Sequence, residues 1–437
     1  MLAFALLVGA CRDDSADLRA PRSGDRIKLV HYEYEDGTIE RERGFFYDND
    51  LGALCYEETW SDGARYCTPR TSEAMYTNER CSQMLGVVTG PSAPKFVATY
   101  YFLHDKPLVS ALFRIGEPTT PPPVVWRMTD LGCVGPFVDD NSSHHWYTVG
   151  EPVAITDTRI KHTVPEGLDR LVDLFLTTGD GMQIAVDIYD QEIGLPCQVD
   201  GDANEMPTTC KPALTDGYVS FFTDEACSAP IVPVTGPPPL LARREDPATG
   251  CTSYYRITSE QQPASVYQLI GDRCVRQTSR VAAHYYGAEP LELVSVERRH
   301  VGQGRLHPIA LGDLATPDRL LYDAKLGTDC ERVLLPAGDL RCLPVSSARL
   351  YRVFTDSACR QPTDVAIVAS RACDRPETYV RDAAIHAIGG VYTAPLYELT
   401  ADRTCGPLLL QAGYLPHAIG PALPLETFPL ATMSYEP

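Results

Sequence analysis

The heptapeptide LYDAKLG at residues 321–327, followed by Cys330, decides the fold of this 437-residue chain because it occurs three times. The other copies are FYDNDLG at 46–52, followed by Cys55, and IYDQEIG at 188–194, followed by Cys197. An arginine with an aliphatic residue after it precedes each copy, at positions 26, 170 and 305. This internal similarity predicts three repeats of about 135–145 residues.

A second, related pattern recurs inside each repeat. Alternating apolar and polar residues lead through an aspartate to a cysteine, in 125–130 before Cys133, 266–272 before Cys274 and 396–402 before Cys405. The alternation predicts half-buried strands, and the aspartate with small residues predicts the turn that folds them back. Helical periodicity is weak, and 36 prolines and 32 glycines punctuate the chain. We therefore predict an all-β protein.

The domain organisation follows from the spacing of the repeats. We place the repeats at 24–156, 167–297 and 302–437, with short, strand-like joins. The proline-rich stretches 118–123 and 237–239 fall inside repeats, not between them. This favours one body, most simply a six-sheet β-propeller-like arrangement with two sheets per repeat. Three tandem β-sandwich-like domains are the alternative.

The first eleven residues, MLAFALLVGAC, have the form of a lipoprotein signal peptide with Cys11 as the lipidated residue. A linker over 12–23 would then lead to the first repeat. The alternative is an ordinary secretory signal with Cys11 incidental. No run of about 18 apolar residues follows. We expect an outer-membrane or cell-surface lipoprotein held by its lipid, or else a periplasmic or secreted protein.

The remaining cysteines form an even set without any Cys-x-x-Cys spacing, which indicates disulfides and not zinc. Spacing predicts the hairpin bridges Cys55–Cys67, Cys197–Cys210 and Cys330–Cys342. Repeat one then retains Cys81 and Cys133, and repetition extends that pairing to Cys227–Cys274 and Cys359–Cys405, leaving Cys251 and Cys373 for each other. A rival scheme joins Cys227–Cys251 and Cys359–Cys373.

The formal charge of −20 argues against nucleic acid as a partner, because phosphate backbones attract cationic surfaces. The chain has no dinucleotide, phosphate-cradling or serine-nucleophile motif. We expect no cofactor. The repeated Asp48, Asp190 and Asp323 each precede a glycine by four residues, which indicates a turn and not a catalytic site.

Two stretches carry candidate binding residues. Asp200, Asp202 and Asn204 alternate like the start of a calcium loop, but Glu205 stands where that loop needs glycine, so they are weak metal candidates.

The stretch 139–147 concentrates carboxylates, imidazoles and aromatic rings. Its candidate residues are Asp139, Asp140, His144, His145, Trp146 and Tyr147. On a strand, adjacent histidines would point to opposite faces, and an exposed loop is the simpler interpretation.

The three-cysteine unit, best preserved at 322–330, 339–344 and 354–359, resembles a recurring unit of uncharacterised cysteine-rich secreted proteins and lipoproteins from large-genome Gram-negative bacteria. The resemblance covers 24–437 and implies no activity. Our leading hypothesis is a non-enzymatic, lipid-anchored envelope protein that binds an unknown extracellular protein or glycan. The alternatives are an extracellular glycan hydrolase or lyase and a calcium-dependent adhesion module.

Overall fold

The computed structural model describes residues 20–436, apart from 90–94, 104–105, 140, 142, 166, 168, 200–207, 214, 216, 247–248, 272, 279–281, 283, 316–318, 372, 374–376, 401 and 412. The described residues form 38 strands and two short 3₁₀ helices, with no α-helix among them. The all-β prediction is confirmed.

The first repeat begins with four strands: β1 (Ile27–Tyr34), β2 (Ile39–Asp48), β3 (Ala53–Thr59) and β4 (Arg65–Pro69). Seven more strands follow: β5 (Thr71–Tyr76), β6 (Met84–Thr89), β7 (Phe96–Leu103), β8 (Lys106–Thr119), β9 (Val125–Thr129), β10 (Gly132–Phe137) and β11 (His144–Pro152). The join to the second repeat contains a 3₁₀ helix (Thr156–Thr158) and β12 (Arg159–Thr163).

The second repeat has the same plan. Its first four strands are β13 (Leu171–Thr178), β14 (Gln183–Asp190), β15 (Leu195–Val199) and β16 (Thr208–Pro212). The next eight are β17 (Gly217–Tyr218), β18 (Phe221–Phe222), β19 (Pro230–Val234), β20 (Leu241–Glu245), β21 (Thr252–Gln261), β22 (Tyr267–Ile270), β23 (Arg273–Arg276) and β24 (His284–Pro290). The join to the third repeat contains β25 (Ser295–Val296) and β26 (Arg298–His300).

The third repeat opens with β27 (Leu306–Leu311), β28 (Leu321–Asp323), β29 (Thr328–Leu334) and β30 (Leu340–Pro344). Seven strands follow: β31 (Arg349–Phe354), β32 (Pro362–Ala369), β33 (Tyr379–Arg381), β34 (Ile385–Val391), β35 (Tyr397–Leu399), β36 (Cys405–Pro407) and β37 (Tyr414–Leu423). A 3₁₀ helix (Leu425–Thr427) and β38 (Leu430–Tyr435) end the described chain.

The four-stranded parts of all three repeats belong to one 16-stranded sheet, which we call the shared sheet. The later strands of each repeat form a separate sheet, β5–β11, β17–β24 and β31–β37, which we call the first, second and third repeat sheets. Each repeat thus contributes two groups of strands, as the two internal patterns predict. Propeller-like and sandwich-like descriptions both accommodate this division.

Strands from the joins link the repeats within the shared sheet. β12 pairs with β4 of the first repeat and with β13 of the second. β38 pairs with β30 and with β1 in the same way. The two ends of the shared sheet are β25 and β26, which pair with β16 and β27 and are separated along the chain only by Glu297.

β1 contributes to two hydrophobic cores. Its pairing with β2 is irregular between Leu29 and His31, where β2 carries the extra residues. Ile27 and Leu29 pack with side chains of the second repeat. Tyr32 and Tyr34 pack with side chains of the third repeat.

The repeated aspartates are structural, as predicted. Each is buried and receives charge-assisted hydrogen bonds from two nitrogens of the arginine that opens its repeat, at 2.7–3.1 Å, in the pairs Arg26–Asp48, Arg170–Asp190 and Arg305–Asp323. One oxygen of each aspartate also accepts hydrogen bonds from the backbone N–H groups two and three residues later. The glycine four residues on has a positive φ, which the turn requires.

Seven disulfides reinforce the repeats: Cys55–Cys67, Cys81–Cys133, Cys197–Cys210, Cys227–Cys274, Cys251–Cys373, Cys330–Cys342 and Cys359–Cys405. These are the pairs of the first scheme, and the neighbour-pairing scheme is wrong. Six bridges lie within a repeat. Cys251–Cys373 instead joins the second repeat to the third, beside an ion pair between Arg371 and Glu245 at 2.8 Å.

Among the described residues, hairpin carboxylates join neighbouring repeats at two junctions. Asp180 of the second repeat accepts hydrogen bonds from the N–H groups of Arg26 and Ile27, at 2.8 and 2.6 Å. Asp36 of the first repeat accepts one from Leu306 of the third, at 2.7 Å. Between the second and third repeats, the N–H of Ala315 donates to Asp173 of the second repeat, at 2.9 Å.

The junction carboxylates predict a measurable acid sensitivity. Burial alone would raise the pKa of Asp180, but hydrogen bonds from Thr178, Ile27 and Arg26 hold that pKa below its usual range. Its contribution to stability is therefore present above the unfolded-state pKa, near 4, and is lost as the pH falls through the lower folded-state pKa. We expect Asp180→Asn to lower the free energy of unfolding by about 2 kcal/mol at pH 7.

Urea denaturation at pH 7 and at pH 3 measures this effect. The matched control is Asp313→Asn, because Asp313 lies in the corresponding hairpin of the third repeat and is fully exposed; it should change stability by less than about 0.5 kcal/mol. Equal destabilisation by the two substitutions would contradict the junction role of Asp180.

Candidate functional site

The structure brings part of the 139–147 cluster together. The Nδ1 atom of His144 lies 2.9 Å from both carboxylate oxygens of Asp139. Its Nε2 atom lies 3.0 Å from the amide nitrogen of Asn141. A hydrogen-bonded turn thus leads into β11, which begins at His144. Asp140 lies outside the described residues.

The rest of that cluster diverges because β11 alternates. Trp146 is buried among Met75, Val87 and Val125, whereas His145 is exposed and Tyr147 is half-buried. Adjacent histidines therefore do not converge. Across the described parts of the chain, no group of three or more His, Cys, Asp or Glu side chains could hold a metal ion. The calcium candidates Asp200, Asp202 and Asn204, and Cys11, lie outside the described residues.

A cavity of about 500 Å³ lies where the three repeats meet, and we call it the arginine cavity. All three repeats and the β12 join supply its walls. The ionisable residues that line it are Glu40, Arg41, Glu42, Arg43, Arg65, His162, Asp187, Arg319 and Arg332. Five arginines and three carboxylates line it, and two carboxylates beyond the lining, Glu57 and Glu436, pair with Arg65 and Arg41.

Arg332 is the most constrained arginine of the cavity. It reaches from β29 of the third repeat to β2 of the first, where its two terminal nitrogens form ion pairs with Glu40 and Glu42. Its guanidinium carbon lies 3.5 Å from the ring centroid of Tyr32, which adds a cation–π contact. Burial raises the pKa of Tyr32 to about 12, so its phenol is neutral at physiological pH.

A hydrogen-bonded triangle forms another part of the wall. Arg65 donates to Glu57 at 2.6 Å and lies 3.3 Å from Nδ1 of His162, while Nε2 of His162 lies 2.9 Å from Glu57. Burial would raise the pKa of Glu57, but His162 and Arg65 outweigh it and lower that pKa.

Asp187 is a carboxylate of the second repeat on the cavity wall, and its pKa is raised. Burial raises its pKa, although a hydrogen bond from the N–H of Ile188 and the charges of Arg319 and Arg43 oppose the increase. Arg43 belongs to the first repeat and Arg319 to the third, so Asp187 of the second repeat faces cations from both neighbours. Arg319 itself is exposed at the wall of the cavity.

A smaller cavity of about 270 Å³ adjoins the arginine cavity, with which it shares Glu40, Arg41 and Arg43. We call it the apolar cavity because its other walls are aliphatic or proline side chains. These residues are Pro21, Ile39, Ile184, Ala185, Pro308, Ala315 and Leu321. They too come from all three repeats, so the two cavities together occupy the meeting point of the repeats.

The sequence does not single out these cavity residues. The run Glu40-Arg41-Glu42-Arg43 is the only local signal, and it has the appearance of a solvated, charged strand. Its partner Arg332 is 290 residues away. Contacts over that distance depend on how the repeats join, which composition and motif spacing do not reveal.

Fold and site together define a disulfide-stabilised, all-β repeat protein with a polar cavity between its repeats. The chain belongs to a family of unknown function, DUF7481, whose model matches residues 6–428. No curated protein and no solved structure matches the chain.

Seven disulfides are typical of proteins outside the reducing cytoplasm. Within the described ranges, no helix has the length and apolarity to span a membrane.

The bridging role of Arg332 predicts a loss of stability when it is removed. Arg332→Gln leaves Glu40 and Glu42 half-buried without their cation, so we expect the free energy of unfolding at pH 7 to fall by about 2–3 kcal/mol. Urea denaturation provides the measurement. Arg352→Gln is the control because Arg352 is largely exposed and 3.7 Å from Asp364. A similar, small effect of both substitutions would refute the bridge.

Proposed function

We propose that this chain is a non-enzymatic, lipid-anchored protein of the Gram-negative cell envelope that binds a negatively charged extracellular or periplasmic ligand in the arginine cavity. The observation that carries the proposal is the set of five arginines lining a cavity between repeats of an acidic chain. Guanidinium groups at the wall of a cavity give an anion charge-assisted hydrogen-bond donors, and they disfavour cations.

The rigidity of the scaffold supports a binding role. Apart from Arg319, which lies in the loop before β28, the lining residues of the cavity lie on strands of the shared sheet, and disulfides cross-link the hairpins next to them. Glu40, Glu42 and Glu57 already neutralise Arg332 and Arg65, so those two arginines shape the cavity. Arg319 is exposed on the wall and is the arginine best placed to meet a ligand.

Titration calorimetry at low salt tests the proposed anion site. We use inorganic phosphate, citrate and short oligogalacturonates as probes, and expect at least one to bind. Arg319→Gln should weaken that binding about tenfold, the usual effect of losing one charge-assisted hydrogen bond. Arg352→Gln on the third repeat sheet is the matched control and should bind normally. Equal binding by both variants and the parent chain would contradict the proposal.

The lipid anchor is a separate part of the proposal. It rests on the apolar run before Cys11 and on the disulfides, which fit an exported chain. We expect cells that express the chain to incorporate radiolabelled palmitate into it, and Cys11→Ser to abolish the labelling and release the protein from membranes. Labelling that survives Cys11→Ser would contradict the anchor.

A glycan hydrolase or lyase is the second candidate function. The observation that favours it is Asp187, a carboxyl group with a raised pKa on the wall of a cavity, which is a property of general acids. An increase of reducing ends or unsaturated sugars in the oligogalacturonate titrations, abolished by Asp187→Asn, would support this candidate over simple binding.

A further inference from the structure

A polar cavity of about 410 Å³ lies on the second repeat sheet, and none of its described lining residues lines the arginine cavity. Its walls are the end of β21, the loop to β22, the residues after β23 and the start of β24. The side chains that give it its polar character are Glu260, Gln261, Gln262, Arg276, Gln277 and His284. We call it the glutamine cavity.

The polar lining of the glutamine cavity belongs to the second repeat alone. The stretch that leads into β22 reads QQPAS at 261–265, whereas TPPPV and VYTAP occupy these positions in the other repeats. Two positions after Cys274 the chain reads RQT, at 276–278, but it reads GPF and PLL after the equivalent Cys133 and Cys405. The fold accepts prolines and apolar residues at these positions in two repeats, so it does not require polar residues there. Polar residues that occur in one repeat alone point to a function of that repeat.

Hydrogen bonds hold the polar side chains of the cavity in place. Nδ1 of His284 lies 2.7 Å from a carboxylate oxygen of Glu260. The side-chain amide of Gln277 donates to Gln268 at 3.1 Å, and its backbone N–H donates to the carbonyl of Val266 at 2.8 Å. These contacts tie β21 to β24, and the residues after β23 to the loop that faces them. A ligand therefore meets groups that are already positioned, which reduces the entropic cost of binding.

Gly287 on β24 makes room for the side chain of Gln261. The pairing of β21 with β24 shifts between Ile257 and Glu260, so β21 carries an extra residue opposite Gly287. A methyl group on Gly287 would overlap the amide of Gln261 and the hydroxyl of Thr258. The missing side chain thus lets the amide of Gln261 lie across β24 at the wall of the cavity.

The hydrogen-bonding groups of the cavity are of mixed type. Glutamine amides both donate and accept, the guanidinium of Arg276 only donates, and the carboxylate of Glu260 only accepts. Because one carboxylate and one guanidinium line the cavity, its charge favours neither an anion nor a cation. A ligand rich in hydroxyl groups matches such a set, since each hydroxyl both donates and accepts.

From this arrangement we infer that the glutamine cavity binds a neutral saccharide. A volume of about 410 Å³ lies within the range of cavities that hold small-molecule ligands and is large enough for a disaccharide. The site is separate from the anion site of the proposed function and takes a different class of ligand, so the two are tested independently.

Titration calorimetry on the full chain tests the saccharide site. The probes are the neutral disaccharides maltose, cellobiose, lactose and N,N′-diacetylchitobiose. We expect at least one of them to bind with a dissociation constant of about 1 mM or below, as a few hydrogen bonds at an open site provide. The permethylated form of that disaccharide keeps acceptor oxygens but has no hydroxyl donor, and it should bind about tenfold more weakly.

Two substitutions locate the saccharide. Gln261→Leu keeps the size of the side chain and removes its hydrogen bonds, so it should weaken binding about tenfold. Its matched control is Gln198→Leu, because Gln198 is an exposed glutamine on β15 of the shared sheet. Gly287→Ala should displace the amide of Gln261 and weaken binding about threefold. Its control, Gly390→Ala, places the methyl group in open space on β34, and thermal melting confirms folding of each variant.

The outcomes separate this inference from the proposed function. If none of the disaccharides binds, or if Gln261→Leu and Gln198→Leu bind equally well, the saccharide inference is wrong. Arg319→Gln should leave disaccharide binding unchanged, and a loss of binding in that variant would place the sugar in the arginine cavity and overturn the inference. Disaccharide binding that depends on Gln261 and Gly287 supports the glutamine cavity, whether or not phosphate, citrate or oligogalacturonates bind elsewhere.

Discussion

The buried ion pair between the first arginine and the motif aspartate of each repeat is the interaction on which the other contacts depend. Asp48, Asp190 and Asp323 are almost completely shielded from water. A carboxylate in that position is tolerated only when its oxygens are fully hydrogen-bonded. The arginine satisfies both oxygens, and backbone N–H groups of the turn add to it. The pair thereby fixes the register of the first strand against the second. That register in turn sets the positions of the hairpin cysteines.

The shared sheet holds the three repeats together. Each join contributes a strand that pairs with the repeats on both sides. The repeats are not equivalent where they meet, however. Asp36 and Asp180 accept hydrogen bonds from backbone N–H groups of the neighbouring repeat. Between the second and third repeats, the N–H of Ala315 donates to the buried Asp173.

Motifs within a repeat were predictable because their partners are close in sequence. The turn role of Asp323 followed from Gly327, and the bridge Cys330–Cys342 followed from a separation of 12 residues. Repetition then extended the pairing to the cysteines of the other repeats. The arginine cavity was not predictable, because its contacts link residues that have no counterparts in the other repeats. At the position of Asp187, counted back from the motif aspartate, the other copies have Phe45 and Leu320.

The bridge between Cys251 and Cys373 changes how the protein responds to proteases. It closes a covalent loop of 122 residues that contains the whole four-stranded part of the third repeat. A single cut in the backbone anywhere between the two cysteines therefore leaves both fragments covalently joined. In an environment that contains proteases and no reductant, the chain can be nicked within this loop and still remain one molecule, with its third repeat tethered to the second.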